Sequence, residues 1–287
     1  MGAASHLTRQ LTGRWSNAYL AIKIRRLIWG DMNTFGIMNP LAVAQAATKL
    51  SELLRAHNVT VQVSSDMVAF NEAKKAARGF EVAPMHHPEV GVFSHERAHW
   101  LSLHEADGKV VGLQAFRCDV IDTNLADWCV NYMIGAYMRR QELMVPSHAR
   151  PPRGSISERL TGKLVYHGEL WVDKHHRNRD LIEHFVRIAL ILSYIKWQPD
   201  AIWCLAGARI VERGHLSRAG YNMLELGFMR WQLASDGIDP FEYLYVLERH
   251  AVETMIEVWN AKAALSQREP VHTPPSPVKL HAKGCPG

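Results

Sequence analysis

The chain predicts a mixed α/β fold built on a mostly antiparallel sheet, and three observations carry that reading. From residue 59 to 248 the pattern runs strand, helix, hairpin, insertion, strand, helix, strand, helix and two strands. A hairpin turn at Asp107-Gly108 lies inside this series, so antiparallel neighbours are built into the sheet and a doubly wound parallel sheet is excluded. The composition, 47% hydrophobic and 21% charged over 287 residues, suits one large domain or one domain with additions and excludes wholesale disorder.

Residues 1–30 carry Leu11, Trp15, Tyr19, Ile22 and Leu27 near helical spacing, read as a helix packed on the main domain. Asn39-Pro40 opens a helix whose stripe is Val43, Ala47, Leu50 and Leu54, with Asn58 closing it. Val59, Val61 and Val63 alternate as a strand, and Ser65 is read as the cap of a helix that Gly79 stops after Arg78. Residues 80–94 read as a loop. Trp100–His104 and Val110–Phe116 form the hairpin, and residues 124–140 a helix faced by Leu125, Trp128, Tyr132 and Ala136. Residues 146–160 hold three prolines and read as loop. Lys163–Val172 is a strand, Asp180–Trp197 an apolar central helix, Asp200–Leu205 a buried strand and Arg209–Ala219 a helix ended by Gly220. Strands near 223–231 and 242–248 and a helix at 251–266 follow. The tail from 268, with five prolines, reads as disordered.

Several function classes fall away at this level. The longest apolar stretches, such as Ile188–Ile195, are too short to span a bilayer, and no secretory signal is read at the N-terminus. The net charge of +5 suits an anionic small ligand and nucleic acid about equally. Arg139, Arg140, Arg150, Arg153 and Arg159 cluster in the insertion without interleaved aromatics, so they read as a solvated basic loop and not as a nucleic-acid surface. Cys118, Cys129 and Cys204 sit in apolar contexts and no C-x-x-C pair occurs, which points to reduced thiols in a cytoplasmic protein.

Three segments resemble the GCN5-related N-acetyltransferase superfamily. Asp107-Gly-Lys-Val-Val-Gly112 is similar to the turn between its second and third strands. Leu170-Trp-Val-Asp-Lys-His-His-Arg-Asn-Arg-Asp-Leu-Ile182 stands in the place of its signature strand, turn and helix. His215-Leu-Ser-Arg-Ala-Gly-Tyr221 matches the usual end of the following helix. The resemblance spans about two thirds of the chain. It implies a sheet of the acyl-CoA N-acyltransferase type and transfer of an acyl group from an acyl-CoA or acyl-carrier-protein thioester to an amine.

In such a site, free backbone N–H groups at a helix opening hold the pyrophosphate of the donor. The resemblance places Trp171, Val172, Asp173, Arg177, Asn178, Arg179, Asp180, Leu181 and Ile182 at the donor. Arg177 fits the signature Arg/Gln position, whereas Asn178 and Asp180 stand where glycines are usual and Ile182 where a small residue is usual. The Asp180 carboxylate would repel a pyrophosphate and tolerate a carrier-borne phosphopantetheine better. Glu169-Leu-Trp-Val-Asp is loosely similar to the strand of acyl-homoserine-lactone and N-acyl amino acid synthases. The resemblance makes Glu169 the base. The family's acid, a Tyr, is replaced by Leu216, with His215 beside it as the substitute.

His86, His87, His95 and His99 are expected to line the acceptor pocket. His95-Glu-Arg-Ala-His99 also fits H-E-x-x-H, the zinc metallopeptidase spacing, which needs both imidazoles on one helix face. It runs directly into a strand, so no metal is expected and a metallohydrolase is the weakest alternative. A non-catalytic binding or regulatory protein on the same scaffold is the stronger one.

The expected organisation is N-terminal helices over 1–58, the acyltransferase-like domain over 59–250 with an insertion at about 121–160, a C-terminal helix over 251–267 and a tail over 268–287. The expected partners are a small amine or amino-acid-like acceptor and an acyl carrier protein, with no membrane and no nucleic acid. A homodimer is compatible with these features.

Overall fold

The computed structural model describes residues 39–143, 145–146, 151–233 and 239–266. The N-terminal amphipathic stretch, Arg150, Cys285 and the proline-rich tail lie outside the described residues.

Helix α1 (Pro40–Ala56) starts where Asn39 accepts the N–H of Ala42, and buries Val43, Ala46, Leu50 and Leu54. Strand β1 (Thr60–Ser64) leads to α2 (Met67–Arg78). Asp66, and not Ser65, caps α2 through the N–H groups of Val68 and Ala69. A carboxylate at that position also favours the positive end of the helix. Strands β2 (Ala98–His104) and β3 (Val110–Ile121) form the hairpin. The helical insertion comprises α3 (Leu125–Trp128), a π turn (Cys129–Met133) and α4 (Ile134–Met138), with the short β4 (Val145–Pro146) after it. Then come β5 (Gly162–Val172), α5 (Arg179–Trp197), β6 (Ala201–Gly207), α6 (Ala208–Arg213), α7 (His215–Ala219), β7 (Met223–Leu233), β8 (Phe241–Glu248) and α8 (Arg249–Ser266). The single helix expected over 209–219 is two, because Gly214 takes a left-handed φ of 64° between them.

Among the described residues, eight strands lie in the order β1-β2-β3-β5-β6-β8-β7-β4. All neighbouring pairs are antiparallel except β5 with β6. The mixed, mostly antiparallel sheet read from the sequence is therefore the fold. Helices α1, α5 and α8 bury one face with Val165, Ile202, Cys204 and Leu247. On the other face, α2 packs on Leu113 and Ala115, and the insertion packs on Leu164, Tyr166, Trp203 and Leu244.

A candidate functional site at the split between β5 and β6

The site begins where the one parallel pair comes apart. Strands β5 and β6 pair from Leu164↔Ala201 to His167↔Cys204 and no further. Beyond that point β5 runs on to Val172 beside β3, while β6 stays with β8 as far as Gly207↔Glu242. The edges of residues 169–172 and 205–207 therefore face each other unpaired.

A bulge sets this divergence. Between the pairs Leu113↔Trp171 and Ala115↔Gly168, one residue of β3, Gln114, opposes two of β5, Glu169 and Leu170, and Glu169 takes a left-handed φ of 63°. Regular alternation would send Glu169 to the face of Val165 and His167, beneath α5. The extra residue turns it onto the α2 face instead. There one Glu169 oxygen accepts the Ala83 N–H at 2.6 Å, and the other is ion-paired with Lys74 of α2. Both side chains of that pair are buried, 7% and 6% exposed.

His86 sits directly against the bulge. A Cβ on Gly168 would lie 2.8 Å from His86 Cε1. The imidazole is stacked on Tyr166 with centroids 5.2 Å apart, and both its nitrogens are buried with no hydrogen-bond partner among the described residues. Burial holds it well below the usual imidazole range, with Arg117 and Lys74 adding to the effect. Its backbone is pinned because buried Arg117 donates to the Met85 carbonyl at 2.8 Å while also bonding Asp119.

The other expected acceptor histidines are not gathered here. His87 bonds Glu81 and Arg140. His95 is exposed in the turn before β2. His99 lies on the opposite face of the sheet, stacked on Trp197 and bonded to Ser193. Burial, then Lys196 and His167, push it down to about 3. His95 and His99 share no helix face, so the H-E-x-x-H spacing does not become a metallopeptidase site. Arg140, read as part of a solvated basic loop, is ion-paired with Glu81, Glu89 and Glu142.

Among the residues expected at the donor, Val172 is buried in the core with Leu181 and Phe185, and Trp171 packs on the cluster of Met67 and Phe70. Trp203 is buried against Tyr166. Asp173 caps a short 3-10 turn through the His175 N–H. Arg177 donates from Nε to the Val172 carbonyl at 3.1 Å and is otherwise exposed. Asn178 caps α5 by accepting the Asp180 N–H at 2.8 Å, so one of the free donors of that helix opening is already used. Asp180 is exposed in the first turn, Leu181 is buried, and Ile182 packs on the core. Arg179 turns to Glu183, which also receives Arg187 and Arg218. His215 joins this cluster through Arg218 at 3.1 Å and lies apart from the groups around Glu169. Burial, then Arg218, lower its basicity.

Sequence reasoning missed two groups at this site. Lys74 belongs to the inward stripe Met67, Phe70, Asn71 and Lys74 of α2. Glu242 shares the inward face of β8 with Leu244 and Val246, accepts the Trp231 indole N–H at 2.8 Å, and is pushed up to about 7 by burial against that bond. Asp239 and Glu169 raise it further. A charged residue in the inward register of an amphipathic element was the available signal in both cases.

A sheet in this order, split after a bulge between its one parallel pair, is the acyl-CoA N-acyltransferase type. The chain has the mixed, mostly antiparallel sheet expected of that type. No protein-family model matches the chain, and no curated protein matches its sequence. Among solved structures it is similar to FeeM, an N-acyl amino acid synthase from uncultured soil microbes, at 10% identity and a TM-score of 0.38, over 74% of this chain and 98% of that one. It is also similar to Arabidopsis thaliana NAA60 in complex with a bisubstrate analogue, at 14% identity and a TM-score of 0.37, over 66% and 98%. A spermidine N-acetyltransferase SpeG chimera from Vibrio cholerae and hSSAT is similar at 9% identity and a TM-score of 0.38, over 69% and 99%. The assignment of fold type rests on the sheet order and the split. Among the described residues no helix is long and apolar enough to cross a membrane.

Proposed function

We propose that the protein transfers an acyl group from a thioester donor, an acyl-CoA or an acyl carrier protein, to an amine. The observation that supports it best is the pair of unpaired strand edges that begins at Gly168 and Glu169. An amide-bearing pantetheine arm can hydrogen-bond along such an edge as a missing strand would. Its phosphate end then lies toward Arg177 and the opening of α5, where helix dipole and guanidinium both favour an anion.

The thioester carbonyl would stand at the bulge. There the amine nitrogen attacks, the C–S bond breaks, and Glu169 takes a proton from the ammonium. His215 stays the candidate that returns a proton to the thiolate, although its contact with Arg218 ties it to the donor side. Asn178's use of one helix-opening N–H and the exposed Asp180 carboxylate both disfavour a pyrophosphate, so a carrier-borne donor is the preferred form. The acceptor is a small amine or amino-acid-like molecule, and no metal takes part in the scheme. A cytoplasmic location and a homodimer belong to the same reading.

A second reading, a binding protein without catalysis, is favoured by one observation: both oxygens of Glu169 are already engaged, by Lys74 and Ala83. Titration with acetyl-CoA, octanoyl-CoA and octanoyl-carrier protein, followed by thiol release on adding mixed amines and amino acids, separates the two. Binding with thiol release supports transfer, and binding without release supports the second reading. Binding of none of the donors removes both.

A further inference from the structure

Lys74 presents an amine directly to Glu169, the base of the proposed transfer. The buried pair sits directly after the point where β5 and β6 part. Buried ion pairs contribute little to stability over an apolar replacement, so the packing of α2 alone does not call for a lysine in its inward stripe. Around the pair, Lys74 Nζ lies 4.8 Å from the centroid of the Phe80 ring, and Arg78 stacks on the same ring at 4.5 Å. Arg78 is one helical turn beyond Lys74 and interacts electrostatically with both Glu169 and Arg177. Helix α2 therefore runs beside the split, with an amine at its thioester end and a guanidinium toward its phosphate end.

We propose that Lys74 is itself an acyl acceptor, modified by the donor held in the split. This rests on the reading of the split as a thioester site. In the step, Lys74 Nζ attacks the thioester carbonyl, the N–C bond forms and the C–S bond breaks. Of the two protons the ammonium loses, one passes through Glu169 to solvent and the other goes to the departing thiolate, so the products are N-acyl-lysine, free thiol and one released proton. The resulting amide carries no charge. Glu169 is thereby released from its ammonium partner and free to take the proton of an outside amine.

The test uses the full chain at neutral pH with excess acetyl-CoA, octanoyl-CoA or octanoyl-carrier protein, read by intact mass and peptide mapping. Uncatalysed acylation follows exposure, so it favours Lys75 and Lys109, 40% and 57% exposed, over Lys74 at 7%. The expected result is the reverse: one added acyl group, at Lys74, at least ten times faster than at either exposed lysine. Glu169→Gln should slow it at least tenfold. Label on the exposed lysines with Lys74 bare overturns the inference, and so does a chain unmodified by every donor. Donor affinity is measured on the same samples. Binding with Lys74 bare refutes self-acylation and leaves the proposed function standing, whereas loss of binding refutes the proposed function as well. The mapping is done on the wild-type chain, so it does not depend on any variant folding.

Discussion

Replacing Lys74 by Met removes the cation from a pair whose members are 7% and 6% exposed, and leaves the Glu169 carboxylate with the Ala83 N–H and the more distant charge of Arg78. Stranding one member of a buried ion pair costs about 3–5 kcal/mol. For a chain of this length that corresponds to a fall in Tm of roughly 10 °C. Adding Glu169→Gln removes the stranded charge while an amide oxygen can still accept from Ala83. The double variant should therefore recover about 1–3 kcal/mol relative to Lys74→Met. Urea unfolding of wild type, both single variants and the double variant at pH 7 provides the cycle, with unchanged m-values confirming that the folded states are comparable. A cost under about 1 kcal/mol for Lys74→Met, or a double variant as destabilised as the sum of the singles, would show that the pair is not formed in the interior. The bulge would then not be held by α2.

Gly168→Ala should destabilise by about 1–3 kcal/mol, because its Cβ meets His86 at 2.8 Å and Tyr166 at 3.0 Å; the penalty should shrink in a His86→Ala background, and equal penalties in the two backgrounds would refute the contact. Acid should weaken the fold between about pH 6 and 5. His99 and His167 are held down to about 3 and His86 well below normal, chiefly by burial, so the unfolded chain binds protons there that the folded one does not. Glu242, pushed up to about 7 by burial, has the opposite sign, since it gains its proton in the folded state first. Three imidazoles against one carboxylate leave a net loss of about 2–3 kcal/mol per pH unit, measurable as the pH dependence of the urea midpoint; a flat profile would contradict it. Arg177→Ala should weaken donor binding by about 1–3 kcal/mol, and unchanged affinity for CoA and carrier donors alike would remove the donor assignment. Asp180→Gly should strengthen CoA binding and leave carrier-borne donors little changed, with both read by titration calorimetry.

Periodicity and turn chemistry made most of the fold legible. Asn39-Pro40, Gly79, Asp107-Gly108 and Gly220 mark boundaries through local backbone preferences, which depend on few tertiary contacts. The strand, turn and helix over residues 170–182 were legible too, through their resemblance, but the parting of β5 from β6 and its cause were not. A bulge changes one residue's face without changing composition, and Gly168 in mid-strand was its one local trace. The histidines show the same limit. His86 and His99 look alike as polar residues near a loop, yet the sheet puts one against Gly168 and the other beneath α5. Pairing across long sequence distances decided that, as it decided the partnership of Lys74 with Glu169.

Backbone hydrogen exchange on the full chain, with and without saturating octanoyl-CoA or octanoyl-carrier protein, tests the central claim most directly. If the split between β5 and β6 is the donor cleft, protection should rise at residues 169–172, at 205–207 and at Arg179 and Leu181 in the opening of α5, where the structure leaves strand edges and helix N–H groups open among the described residues. A donor that binds while these amides exchange as before, with protection gained elsewhere, would contradict the account.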